Sequence, residues 1–185
     1  MERRVQDMRR DFCFEGVALK NLVNAGEEEK RAVLGWRNST EVSRWLYSAH
    51  AISWEEHTGF IEGLKKDSRN FYWLVALEGG QRLGVVSLNR VDAANGNAYL
   101  GLYANPSRTG AGRTLMGCIK RLAFEEAGLH TLKLEVIESN ERALRFYAKA
   151  GFTEEGRLRE FVSKEGRRMD VIIMGIVKEE GTNGV

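Results

Sequence analysis

Disulfides, zinc clusters, membrane spans and a strong charge of either sign are all missing from this chain, and each absence closes a class of function. Cysteine occurs twice in 185 residues, at Cys13 and Cys118, which suits neither a disulfide framework nor paired zinc-ligand spacing. Both read as ordinary buried or partly buried thiols. Histidine occurs three times, at His50, His57 and His130. There is no HxxxH pair, no His/Cys cluster and no persuasive serine and acid partner, so neither a metal site nor a hydrolytic triad is expected. No apolar run approaches about twenty residues, and the basic start MERRVQDMRRDF lacks the apolar stretch of a signal peptide. A soluble cytoplasmic chain is the expectation. The 28 basic and 26 acidic residues nearly cancel, leaving a net charge of +2, which argues against a general nucleic-acid binder. Proline occurs once and no low-complexity linker interrupts the chain, while 43% of the residues are hydrophobic. That length and composition suit one well-packed domain, read as residues 12–178 between a basic lead (1–11) and a polar tail (179–185).

The hydrophobic pattern divides this domain into elements. Residues 12–23 alternate loosely and predict a first strand, with Gly16 as a weak spot or bulge inside it. Three glutamates at 27–29 suit the first turn of a helix over 27–36, and a second short helix is expected over 40–46. Ser53 and Glu56 stand in capping-box spacing at the head of a helix over 53–66. FYWLVALE and QRLGVVSLNRV, joined at Gly79 and Gly80, read as an antiparallel hairpin, followed by a strand over 97–104. A helix over 110–127, stopped by Gly128, leads to the strand TLKLEVIE, a short helix over 140–150 and a last hairpin formed by RLREFV and MDVIIMGIV.

Between the 97–104 strand and the next helix lies NPSRTGAGRTLMGC. A strand ending in a glycine turn that opens a helix aims backbone N–H groups and the positive helix end at what lies in front, which suits an anion. Glycine pairs are equally at home in plain turns. A Walker A loop needs Lys and Ser or Thr directly after its last glycine, whereas Arg113 and Thr114 follow Gly112, and neither that glycine spacing nor the Rossmann pattern is present.

A second stretch, ESNERALRFYAKAGF at 138–152, tips the balance. Together the two resemble the GCN5-related N-acetyltransferases, in which a Gln/Arg-x-x-Gly-x-Gly/Ala turn binds the acetyl-CoA pyrophosphate and an Asn-x-x-Ala-x-x-x-Tyr-x-x-x-Gly-Phe helix follows the next strand. Asn140, Ala143, Tyr147, Gly151 and Phe152 match the second pattern, and Ser107 departs from the first where Gln or Arg is usual. The resemblance implies an α/β (α+β) fold with a mixed, mostly antiparallel twisted sheet of about seven strands, flanked by helices and splayed at its middle strands. It implies acetyl-CoA as cosubstrate, bound by Arg108, Thr109, Gly110, Ala111, Gly112 and Arg113 at the turn, by the backbone near Leu102, and by Asn140 and Tyr147. It calls for no metal, and it leaves monomer or homodimer open.

Amine acetylation needs a neutral amine, a donor for the oxyanion and a proton for the departing thiolate. The resemblance assigns that proton to Tyr147, and a phenol of pKa about 10 is a suitable donor; a tyrosine merely packed beside Leu144 is the alternative. Asn140 is read both as a helix cap and as a neighbour of the pantetheine arm. Glu135 alternates with Leu134 and Val136 and so faces away from them. It is a candidate to take the amine's proton, directly or through water, with an ordinary structural or ion-pair role of equal weight.

The acceptor side is expected in the first half. WRN, WLYS and IS-x-x-x-H-x-x-FI-x-x-L, together with YLGLY, LHTLKLEVIESN, EGRL and FVSK, resemble the acetyltransferases of pseudaminic acid biosynthesis, which act on a UDP-linked 4-amino-dideoxy sugar. A UDP-sugar asks for aromatic faces and cationic or polar donors, and Arg37, Trp45, Tyr47 and His57 supply those types, with Tyr99 and Tyr103 on one face of their strand. A helical layer simply packed on the sheet is the plainer reading of the first four. The rivals are an acetyltransferase of ribosomal-protein N-termini or another small amine, and a coenzyme A-binding module without turnover.

Overall fold

The computed structural model describes Val5 and residues 8–48, 50–164 and 166–178; most of the basic lead and the whole polar tail lie outside the described residues. Eight strands form one sheet in the order β1-β2-β3-β4-β5-β6-β8-β7. They are β1 Phe12–Phe14, β2 Val17–Asn21, β3 Phe71–Leu77, β4 Arg82–Asp92, β5 Asn97–Ala104, β6 Thr131–Ile137, β7 Thr153–Lys164 and β8 Arg167–Val177. Five helices flank them: α1 Glu27–Asn38, α2 Thr40–Ser43, α3 Trp54–Leu64, α4 Gly112–Arg121 and α5 Glu141–Lys149. Among the described residues no helix is long and apolar enough to cross a membrane.

Most of the expected elements form where the pattern put them. The capping box of α3 is made: Ser53 Oγ accepts from the Glu56 N–H at 3.1 Å, and Glu56 accepts from the Ser53 N–H at 2.7 Å. Two expectations need correction. Residues 12–23 do not form one strand but a hairpin, because Glu15 and Gly16 take φ of 50° and 81° and turn the chain back on itself. The sheet therefore has eight strands instead of about seven. The lead is also less detached than its charge suggests, since Val5 and Met8 are buried in the main core.

Alternation sorts each strand's side chains onto two faces. On one face Trp73, Val75, Val86, Leu88, Ala98, Leu100, Leu134 and Val136 meet Leu115, Ile119 and Leu122 from α4 and its π-helical extension, with Tyr147 from α5. On the other, Leu74 and Val85 pack beneath Val33 of α1 and Ile61 of α3, with Trp36, Tyr72 and Tyr103 against them. Burying each such aliphatic side chain contributes about 1.5–3 kcal/mol.

All strand pairs are antiparallel except β5 with β6. That parallel pairing runs only from Asn97↔Thr131 to Tyr99↔Lys133. β5 stays paired to β4 as far as Ala104, and β6 to β8 as far as Ile137, so the two halves of the sheet separate and leave a slot.

A close approach to backbone in the sheet makes a testable demand. A Cβ on Gly84 of β4 would lie 2.9 Å from the Ala104 Cα and 2.9 Å from Leu115 Cδ1, and against the Tyr103 carbonyl. Gly84→Ala is expected to lower stability by about 1–3 kcal/mol or more. Gly117→Ala on the exposed side of α4, where nothing lies within 4 Å, is expected to raise it by about 0.5–1 kcal/mol. Denaturant unfolding midpoints at constant slope measure both; equal midpoints for the two variants would contradict the packing.

Candidate active site

The glycine turn lies at the open end of β5. Asn105 braces it: its amide donates to the Arg82 carbonyl at 3.1 Å and its side-chain oxygen accepts from the Ser107 N–H at 3.0 Å. Gly110 takes φ of 80° with nothing within 4 Å of a would-be Cβ, so a ligand can reach the main chain there. The first hydrogen bond of α4 runs from Leu115 to the Ala111 carbonyl at 3.0 Å, and no side chain caps the helix. The preceding N–H groups of the first turn therefore look outward, with Arg108, Thr109 and Arg113 exposed around them. This is a cradle that fits a pyrophosphate. Gly112 has a different reason to be glycine: a Cβ there would stand 3.2 Å from the Phe146 ring on α5. It brings the two helices together.

Asn140 caps α5, its side-chain oxygen accepting from the Ala143 N–H at 3.2 Å. Two helical turns later Tyr147 is buried, its ring packed on Phe146 and Phe152 at 5.3 and 6.0 Å. Burial pushes its phenol up to about 12, so it stays protonated through the neutral range. Leu102 lies on β5 beyond the last pair with β6, where the slot-facing backbone of the strand has no strand partner among the described residues. These groups fit the pantetheine arm of a coenzyme entering the slot.

Glu135 stands on the other face of β6, and both of its carboxylate oxygens are held. The Tyr47 hydroxyl donates to one at 2.6 Å, and Arg90 Nη2 to the other at 2.7 Å. Desolvation first, and then the bond to Glu135, raise the Tyr47 phenol above its usual range. Arg90 also lies 3.8 Å above the Tyr99 ring. Around this cluster opens a cleft of about 350 Å³, lined by Arg37, Trp45, Tyr47, Asn89, Arg90, Tyr99 and Glu135 among others. Arg37 donates to the Ser48 carbonyl at 3.2 Å, while its Nη1 is buried without a hydrogen-bond partner. Burial lowers the Arg37 guanidinium from its usual value, with Tyr103 opposing.

Of the expected acceptor residues, the structure gathers Arg37, Trp45, Tyr47 and Tyr99 in the cleft. It does not bring His57 there: that side chain is 5% exposed on α3, and burial lowers its pKa. Its neighbours on the helix, Ile61 and Leu64, are buried with it, so it belongs to the layer between the helices and the sheet. Tyr103 shares a face with Tyr99 but packs against the cluster of Leu74, Val85 and Ile61 and does not line the cleft. Arg90 and Asn89 went unnoticed in the sequence. The one signal available was the polar NRVD ending of a strand, where a bulge sets Arg90 and Val91 opposite Ala98 alone and gives Arg90 a φ of 51°.

A profile of the acetyltransferase (GNAT) family matches residues 36–152. Acetyltransferase PseH of Campylobacter jejuni is 36% identical over 137 residues, 74% of this chain and 85% of that protein. The crystal structure of Campylobacter jejuni N-acetyltransferase PseH in complex with acetyl coenzyme A superposes with a TM-score of 0.68 at 27% identity, covering 88% of this chain and 99% of that one. Spermidine N-acetyltransferase from Vibrio cholerae, in complex with CoA and spermine, superposes with a TM-score of 0.82 over 92% of this chain and all (100%) of that one. At 22% identity that likeness concerns the fold alone. A split sheet with an open anion cradle at one end, a buried protonated tyrosine beside it, and a family match over most of the same residues lead to one conclusion: the chain belongs to the acetyltransferase (GNAT) family and is an acetyl-CoA-dependent N-acetyltransferase.

Proposed function

We propose that the acceptor is the 4-amino group of a UDP-linked amino-dideoxy sugar, as in pseudaminic acid biosynthesis. The observation that carries this reading is the make-up of the cleft. Two guanidinium groups, Arg37 and Arg90, and three aromatic rings, Trp45, Tyr47 and Tyr99, converge on one volume whose single lining carboxylate, Glu135, is already paired with Arg90. A nucleoside diphosphate calls for cations and ring faces. A polyamine or a peptide N-terminus calls for free carboxylates, which the lining residues do not offer. The identity to Acetyltransferase PseH supports the same choice.

Acetyl-CoA supplies the activated thioester carbonyl. The glycine turn, with Gly110 open and Arg108 and Arg113 at its rim, holds the pyrophosphate, while Asn140 and the β5 backbone near Leu102 border the arm in the slot. A β5 N–H freed by the separation from β6 donates to the oxyanion. Tyr147, kept protonated by burial, gives its proton to the departing sulfur. On the opposite face Glu135 receives the amine's proton through Tyr47. As the amine N–H passes to the phenolic oxygen, the phenolic proton passes along its existing 2.6 Å bond to the carboxylate. Arg90 holds the second oxygen of Glu135 and keeps the carboxylate aimed.

Two measurements test this. Tyr147→Phe is expected to lower kcat about 10²-fold with little change in the KM for acetyl-CoA; unaltered kcat removes Tyr147 from proton transfer. In parallel acetyl-transfer assays with a UDP-4-amino sugar, a peptide starting with Ser or Ala, and spermidine, the sugar nucleotide is expected to give the highest kcat/KM, with UDP competing against it. A higher kcat/KM on the peptide, untouched by UDP, would instead make the chain an acetyltransferase of protein N-termini.

A further inference from the structure

Among the described residues, three other than glycine hold a positive φ: Glu15, Arg90 and Glu160. Glu15 belongs to the β1–β2 turn. The other two occupy bulges, and both bulges adjoin the acceptor cleft. Arg90 lines it. Phe161, next to Glu160, packs edge-on against Tyr47, with ring centroids 5.9 Å apart and planes at 73°.

The β7 bulge is firmly built. Pairing jumps from Leu158↔Val171 to Val162↔Met169, so residues 159–161 stand opposite Asp170 alone. The Asp170 carboxylate accepts from the Glu160 N–H at 2.7 Å and from Arg157 Nε at 2.6 Å. Beyond the bulge Lys164 Nζ donates to the carbonyls of Ser43 and Arg44 at 3.0 and 2.7 Å, tying this end of β7 to the segment that carries Trp45 and Tyr47. The outcome is an apolar ring turned into water: Phe161 is 53% exposed, beside a Tyr47 that is 41% exposed. A bulge with a strained residue costs free energy, and here it leaves about half of the Phe161 side chain in water. Bulges beside binding sites re-aim a side chain, and an edge-to-face ring pair leaves ring faces open to a third ring.

We infer that Phe161, set edge-on beside Tyr47, forms the stacking face for the planar base of the acceptor nucleotide, which makes Phe161 a specificity-determining residue. The inference rests on the reading of the acceptor as a nucleotide-linked sugar. Base stacking is indifferent to which base is offered, and the adenine of the coenzyme has the same chemistry, so the test separates the two. UDP and CoA are titrated calorimetrically into the wild type, Phe161→Ala and Phe161→Trp. Phe161→Ala is expected to weaken UDP about tenfold and to raise the acceptor KM to match, with CoA affinity retained. Phe161→Trp, which keeps a ring, is expected to retain UDP binding and to show UDP quenching of indole fluorescence beyond that of the wild type. Equal UDP affinity in the wild type and Phe161→Ala overturns the inference, as does a matching loss of CoA affinity. UDP that fails to bind the wild type overturns the nucleotide acceptor itself, an outcome distinct from a Phe161 without effect.

Discussion

The parallel pairing of β5 with β6 lasts three residues and then stops, and the slot in the sheet depends on that interruption. A continuous ladder would satisfy every backbone group of β5 and seal one face of the sheet from the other. The separation past Tyr99 and Lys133 frees main-chain groups for a ligand and opens a passage between faces. It is held open from both sides, since β5 remains bound to β4 and β6 to β8 along their lengths. The packing of Leu115, Ile119 and Leu122 under one half and of Ile172 and Met174 under the other keeps each half rigid. An unpaired strand inside a domain persists only when such packing is present to support it.

The two faces carry different electrostatics. On the α4 and α5 side the surroundings are apolar, so Tyr147 keeps its proton, and the positive charge comes from the first turn of α4 and its arginines. On the α1 to α3 side Glu135 is clasped between a phenol and a guanidinium beside the apolar layer of Leu74, Val85 and Ile61. Tyr147 and Glu135 sit on opposite sides of the sheet. The apolar surroundings of Tyr147 and the ion-paired surroundings of Glu135 are thus kept apart.

Bulges supply what regular strands cannot. A strict alternation would place Arg90 out of line with Glu135 and Tyr99, and Phe161 within the β7 ladder. In both places the chain accepts a positive φ at a residue with a side chain, and Arg90 itself in one bulge and Phe161, next to Glu160, in the other meet an aromatic ring of the cleft. The cleft is thus lined by a helical connection, the β4 bulge and residues of β5 and β6, with Lys164 fastening the β7–β8 hairpin to the connection.

What the sequence by itself determined is what near-neighbour physics governs. The capping box at Ser53 and Glu56, the Asn140 cap with Tyr147 on the same helix, the hairpin at Gly79 and Gly80 and the glycine turn before α4 all follow from contacts a few residues apart. The family and its coenzyme were legible through those spacings. The reversal at Glu15 and Gly16 was equally local but was masked by apolar residues that alternate across it. Tertiary structure alone decided that Gly112 serves Phe146, that His57 is sealed beneath the helices, that Tyr103 stops short of the cleft, that Arg90 and Asn89 line it, and that Phe161 meets Tyr47. Each depends on strand register or on a contact between distant segments. Periodicity states which side of an element is apolar, but it does not state what will lie against that side.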